Sequence, residues 1–125
     1  MEKLNQKKKD HLFLLNPGFE DQRLQPENQK YYCPFNATME GVLGYFPELR
    51  EKMEIHYIDF PRPRKKIVEI VGEENQGLPL LVLENDPSGF QALKVKEYKG
   101  KFFLAGSEEI LKYFALEHGI PLPHP

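Results

Sequence analysis

Five consecutive positions, His11-Leu12-Phe13-Leu14-Leu15, are apolar or nearly so, and Asn16-Pro17-Gly18 stops the run. A short continuous apolar run bounded by turn residues predicts a strand buried on both faces, and hence a central one. Residues 19–30 are polar and carry Pro26 and Asn28, which predicts a long surface loop of about a dozen residues, a length associated with function or disorder. The period then changes. Met39, Val42, Leu43 and Phe46 recur at helical spacing, and Pro34 suits a first turn, where its missing N–H has no intrahelical partner. A helix is expected from Cys33, with Pro47 breaking it after Phe46 and residues 48–52 adding one further turn.

Residues 53–60 (MEIHYIDF) alternate Met53, Ile55 and Tyr57 against Glu54, His56 and Ile58, the pattern of a second, less buried strand closed by Pro61 and Pro63. Residues 64–71 place Ile67, Val68, Ile70 and Val71 behind a basic patch and end at Gly72, as a second helix does. Leu78-Pro79 introduces a third apolar run, Leu80 to Leu83, and an X-Pro bond there is a candidate for the cis form. Asp86-Pro87-Ser88-Gly89 marks a turn. Residues 93–96 and 101–104 flank Lys99-Gly100 as a ribbon, and Gly106-Ser107-Glu108-Glu109 opens a last helix with Ile110, Leu111 and Phe114 on one face and Gly119 past its end. The predicted order is βαβ-α-ββα: an α/β domain with a four-stranded mixed central sheet flanked by helices.

Composition narrows the function classes. One hundred and twenty-five residues suffice for one domain and its core, and leave no room for a separate substrate domain. Seventeen basic against nineteen acidic residues, net charge −2, argue against nucleic acid or an anionic membrane as the main partner. No window reaches transmembrane length and no signal peptide is recognisable, so a cytoplasmic protein is expected. A single cysteine rules out an internal disulfide and fits a reducing compartment. The organisation expected is a polar tail over 1–10, the domain over 11–118 and a proline-rich arm over 119–125, the arm lying on the surface or meeting a partner.

Three features converge. Cys33-Pro34-Phe35-Asn36 starts the first helix, Leu78-Pro79 precedes the third strand, and Gly106-Ser107-Glu108-Glu109 starts the last helix. This spacing resembles the thioredoxin-like fold, and within it the glutaredoxins and the N-terminal domains of glutathione transferases, whose motif C-P-[FY]-x carries a reactive thiol. The resemblance implies glutathione as cosubstrate, with the Leu78-Pro79 backbone meeting its cysteinyl part and Ser107 and Glu108 its γ-glutamyl end. It also brings Pro34, Phe35 and Asn36 into the binding surface. Gly106 departs from the transferase pattern, which has a glutamate there. A closer similarity is to an uncharacterised bacterial family of thioredoxin-like domains of unknown function. It rests on Phe13 to Phe19 (FLLNPGF), Asp59 to Arg64 (DFPRPR), Gly72 to Gln76 (GEENQ) with Leu78-Pro79, and the closing HGIP and PHP segments.

Independently of any family, a thiol at a helix N-cap faces unpaired N–H groups and the positive end of the helix dipole, which favour the nucleophilic thiolate. Lys30, three residues earlier, adds a favourable charge if the loop directs it toward the thiol. Asn36 stands where the second cysteine of a redox pair would be, so dithiol chemistry is excluded and a disulfide at Cys33 needs an outside thiol, from glutathione or a protein. Against this stands Cys33 as a small buried hydrophobe. Ser107, Glu108 and Glu109 are equally explained as good helix-starting residues, and Tyr31 and Tyr32 either shape a pocket by the thiol or pack in the core.

His11, His56, His118 and His124 are scattered, so no metal site is expected. Arg62, Arg64, Lys65 and Lys66 read as the solvated start of the second helix or a docking patch. The functions in view are a monothiol glutathione-dependent oxidoreductase or thiol transferase using Cys33 and a catalytically silent binding module. A weaker iron–sulfur role resembles that of monothiol glutaredoxins, from whose C-G-F-S pattern Pro34 and Asn36 depart. Monomer and homodimer are both compatible.

Overall fold

The computed structural model describes residues 8–125; the first seven residues of the expected tail lie outside them. The strands are β1 (Asp10–Leu15), β2 (Met53–Ile58), β3 (Leu80–Leu83), β4 (Lys96–Tyr98) and β5 (Lys101–Ala105), and the helices are α1 (Pro34–Tyr45), α2 (Lys65–Val71) and α3 (Ser107–His118). They build one mixed sheet in the order β2-β1-β3-β5-β4. β1 runs parallel to β2, with Leu12 opposite Ile55, while β3 is antiparallel to β1 and β5 antiparallel to β3. The central strands β1 and β3 are the two apolar runs.

Alternation along those strands sorts the core into two layers. Leu12, Leu14, Leu81 and Leu104 face Met39 and Leu43 of α1 and Ile110 and Phe114 of α3. Phe13, Leu80, Val82 and Phe103 face Ile67 and Val71 of α2. Residues 47–51 form the further turn expected after Phe46.

Five strands replace the four expected. Lys99 and Gly100 both adopt positive φ, 48° and 84°, as a two-residue type I′ hairpin turn demands, and this pairs Tyr98 directly with Lys101. The ribbon's first strand therefore sits nearer the turn than residues 93–96. Leu93 is instead drawn into the core on the α1 and α3 side, with Val95 packed against it.

β1 starts one residue earlier than its apolar run, because Asp10 is buried and useful there. Its carboxylate accepts the Glu84 N–H at 2.8 Å and the Tyr113 hydroxyl at 2.6 Å, tying the strand to α3. Burial, followed by that hydrogen bond, pushes the Tyr113 phenol well above its ordinary value. Beyond α3, Ile120 is buried in the same core layer and Pro121 onward is exposed.

Two contacts on the α2 side generate tests. Gly72 ends α2 at φ 90°, and a Cβ there would lie 2.7 Å from the Tyr98 ring. Gly72→Ala is expected to lower stability in chemical denaturation by roughly 1–3 kcal/mol, and adding Tyr98→Ala should recover only the part due to the clash. The second contact is a histidine pair. His11 Nδ1 and His56 Nε2 lie 2.9 Å apart, His56 stacks on Phe13, and Lys66 Nζ stands 3.5 Å from His56 Nδ1. Glu84 approaches the far side of His11 at 3.7 Å.

Burial, then the charges of Lys66 and His11, hold the His56 imidazole below its ordinary value, with Glu54 opposing. The unfolded chain takes up that proton near pH 6.5 while the folded one resists it, so the stability is complete above about 6.5 and lost as pH falls through the folded value. The thermal unfolding midpoint should fall between about pH 7.5 and about pH 5, and fall less in His56→Gln.

Candidate functional site

Cys33 caps α1. Its backbone is extended (φ −88°, ψ 121°), its carbonyl accepts the Ala37 N–H at 3.0 Å, and its side chain makes no capping bond. Pro34 takes the first helical position. The thiol is half-buried between two outward-facing aromatics, Tyr32 at 64% and Phe35 at 63% exposure. Tyr31 does something else: it forms an isolated bridge with Phe19, closing the base of the long loop.

Asn36, three residues on and so on the same face of α1 as Cys33, is buried. Its Oδ1 accepts the Leu15 N–H at 2.8 Å and its Nδ2 donates to the Leu78 carbonyl at 3.2 Å. The Leu78-Pro79 bond is cis, as are Gln25-Pro26 and Arg62-Pro63. The Pro79 carbonyl in turn accepts the Gly106 N–H at 3.0 Å, drawing in the start of α3. Asn36 thus joins the end of β1 and the start of α1, which Cys33 caps, to the Leu78-Pro79 turn, and Gly106, next to half-buried Ser107, bonds to the same turn.

Glu108 is not drawn in. Its side chain is exposed and lies 3.8 Å from Lys112. Glu109 is committed to structure, accepting the Lys94 N–H at 2.8 Å, which with Lys112 holds its carboxyl below the ordinary range.

A mostly apolar cavity of about 540 Å³ opens beside Cys33, between Leu14, Leu15, Pro17, Tyr32 and Tyr57. Glu40 lies at its rim with its charge already engaged, by Arg50 at 2.8 Å and the Tyr57 hydroxyl at 2.6 Å. A larger hollow of about 940 Å³ lies around Leu83, Phe90, Val95 and Phe102 and includes none of the Cys33 group.

Two basic residues behave unlike their reading from sequence. Lys30 pairs with Glu20 at 2.9 Å, so its charge is already compensated away from the thiol. Arg64 is buried at 7% exposure rather than solvated. Its Nε and Nη2 donate to the Phe60 carbonyl at 3.0 and 2.7 Å, its Nη1 donates to the Gln76 carbonyl at 2.8 Å, and its backbone N–H donates to Gln76 Oε1 at 2.7 Å. Main-chain carbonyls leave no side-chain pattern in a sequence, so nothing in the linear order signalled this.

His11 and His56, scattered in the sequence, are brought into contact, yet among the described residues no group of three or more His, Cys, Asp or Glu is arranged to hold a metal ion. No described helix is long and apolar enough to cross a membrane.

The class these features define is a mixed α/β domain whose lone cysteine starts a helix beside a cis X-Pro turn. Residues 9–122 match the family described as "Protein of unknown function (DUF3088)", and the chain belongs to that family. No curated protein and no solved structure matches it.

Because both ends of the Asn36 amide bond to main-chain groups, Asn36→Ala strands the Leu15 N–H and the Leu78 carbonyl. The expected loss is roughly 2–4 kcal/mol, read as a lower denaturation midpoint. The Leu15 amide should exchange with solvent faster in the same variant.

Proposed function

We propose that the protein is a thioredoxin-like monothiol protein, a glutathione-dependent thiol-disulfide oxidoreductase or thiol transferase with Cys33 as its nucleophile. The observation that carries this reading is the Asn36 amide, which fastens the start of α1 to the cis Leu78-Pro79 turn. The same helix start carries the half-exposed Cys33 thiol, and the Leu78 N–H of the turn has no protein partner among the described residues. The strand order β2-β1-β3-β5, with α1 and α3 packed on one face and α2 on the other, is consistent with a thioredoxin-like domain to which β4 adds an outer strand.

In the reaction, a Cys33 thiolate attacks the glutathione sulfur of a mixed disulfide. The S–S bond breaks, the substrate leaves as a thiolate with the electron pair and takes a proton from water, and Cys33 remains joined to glutathione. A second glutathione thiolate then attacks the glutathione sulfur of this adduct, giving oxidised glutathione and restoring Cys33. Asn36 supplies no internal thiol, so the second step always draws on the surroundings. In this scheme the Leu78 backbone and Ser107 position the cosubstrate, with the exposed Pro34 and Phe35 beside it.

A second reading is favoured by two observations: the Asn36 oxygen and nitrogen are both engaged in holding the fold, and Gly106 offers no carboxylate to a ligand. A catalytically silent binding module keeps the same platform. The two part on two measurements. Oxidised glutathione is expected to add one glutathionyl group by mass spectrometry, at Cys33, and turnover of a glutathione mixed disulfide should drop to the uncatalysed background in Cys33→Ser. Equal turnover in wild type and Cys33→Ser removes the catalytic assignment, and an absence of glutathione binding by calorimetry with the fold intact selects the binding module.

A further inference from the structure

A buried guanidinium is expensive to desolvate and is ordinarily matched by a carboxylate. Arg64 has none. Its contacts are the carbonyls of Phe60 and Gln76, which occupy three of the five N–H groups a guanidinium carries and cancel none of its charge. The surroundings add positive charge. Arg62, exposed two residues earlier, makes no ion pair among the described residues, and with burial it pushes the Arg64 guanidinium below its ordinary value.

These residues line a concavity. Arg23, Phe60, Arg62 and Arg64 enclose about 410 Å³. Arg23 is bidentate to Asp21, with contacts at 3.0 and 2.8 Å, so its own charge is balanced and its exposed side chain forms one side. The opposite wall is Phe60, lying flat on Phe19 at 4.2 Å between ring centroids, with the Arg64 guanidinium 5.4 Å from its centroid. The result is a cleft with a buried cation held by carbonyls, an exposed cation and an aromatic side.

We infer that the Arg62–Arg64 cleft binds an oxyanion, the carboxylate or phosphate group of a small-molecule ligand. Arg64, held in place by carbonyls, presents its remaining N–H groups as a preorganised fork. Arg62 closes over the anion from the solvent side. This stands on the cleft and its charges, and does not depend on Cys33 being a nucleophile.

The test uses the full chain, with inorganic phosphate and succinate as separate probes at an ionic strength held constant with chloride. Phosphate or succinate is expected to give saturable shifts in the amide resonances of residues 60–64 and 76, and the tighter probe assigns the oxyanion. Arg62→Gln, an exposed change that leaves the fold alone, should weaken binding about five- to tenfold. Lys65→Gln, next in the same basic run but outside the cleft, should change it less than about twofold. Arg64→Lys keeps the charge and removes the fork, and should weaken binding with circular dichroism unchanged. Shifts that fail to saturate with both probes overturn the inference. Equal weakening by Arg62→Gln and Lys65→Gln also overturns it, since a diffuse field would then account for the binding.

Discussion

Asn36 has one acceptor and two donor protons to offer, and its position decides where they go. Its carbonyl oxygen holds the last N–H of β1, and its amide nitrogen holds the carbonyl before Pro79. A planar amide cannot shift one of these bonds without disturbing the other, so the end of a central strand, the start of α1 and the cis-proline turn behave as one body. Burial keeps water from competing for the bond to Leu15, while the bond to Leu78 is partly buried. The Pro79 carbonyl then extends the same connection to Gly106, so this hydrogen-bond chain adds to the core packing that already joins α3 to α1. The surroundings of Cys33 follow from this arrangement.

The parts of the fold legible in the sequence are those written in side-chain hydrophobicity. β1 and β3 are apolar runs because both of their faces are covered. α3 was readable because Ile110, Leu111 and Phe114 recur at its period. The hairpin strand was misplaced for a reason the same code hides: Leu93 and Val95 look strand-like, yet their apolar surface is better spent in the core than on a sheet edge. The site was half legible. The motif Cys33-Pro34-Phe35-Asn36 and the turn Leu78-Pro79 could be located, but not the bond between them, which joins a side chain to a main-chain group 42 residues away. Arg64 and the meeting of His11 with His56 were out of reach on the same grounds, since the first depends on carbonyls and the second on the register of two parallel strands.

Charge is arranged locally rather than globally. A net charge of −2 describes a chain with nearly balanced acids and bases, yet the balance is uneven in space. Glu20, Asp21 and Glu40 each neutralise a nearby cation at the surface. At Arg64 no acid is supplied, although the cation is withdrawn from water and a second arginine stands close by. A nearly neutral composition is therefore compatible with a concentrated positive field at one end of the sheet.

Tyr113 meets Asp10 across 103 residues of sequence, which bears on how the protein is made. β1, which leaves the ribosome before the other described strands, carries Leu12 and Leu14, and the side chains that cover them on one face include Ile110 and Phe114 of α3. Until that helix emerges, a sheet assembled from β1, β2 and β3 presents an open apolar face. Long-range closure of this kind slows folding and leaves nascent chains prone to association. The α2 layer waits as well, because Leu80, Val82 and Phe103, half of its buried members, follow α2 in the chain. Phe103 precedes Ile110 by only seven residues, so both faces of the sheet close late, when β5 and α3 follow one another out.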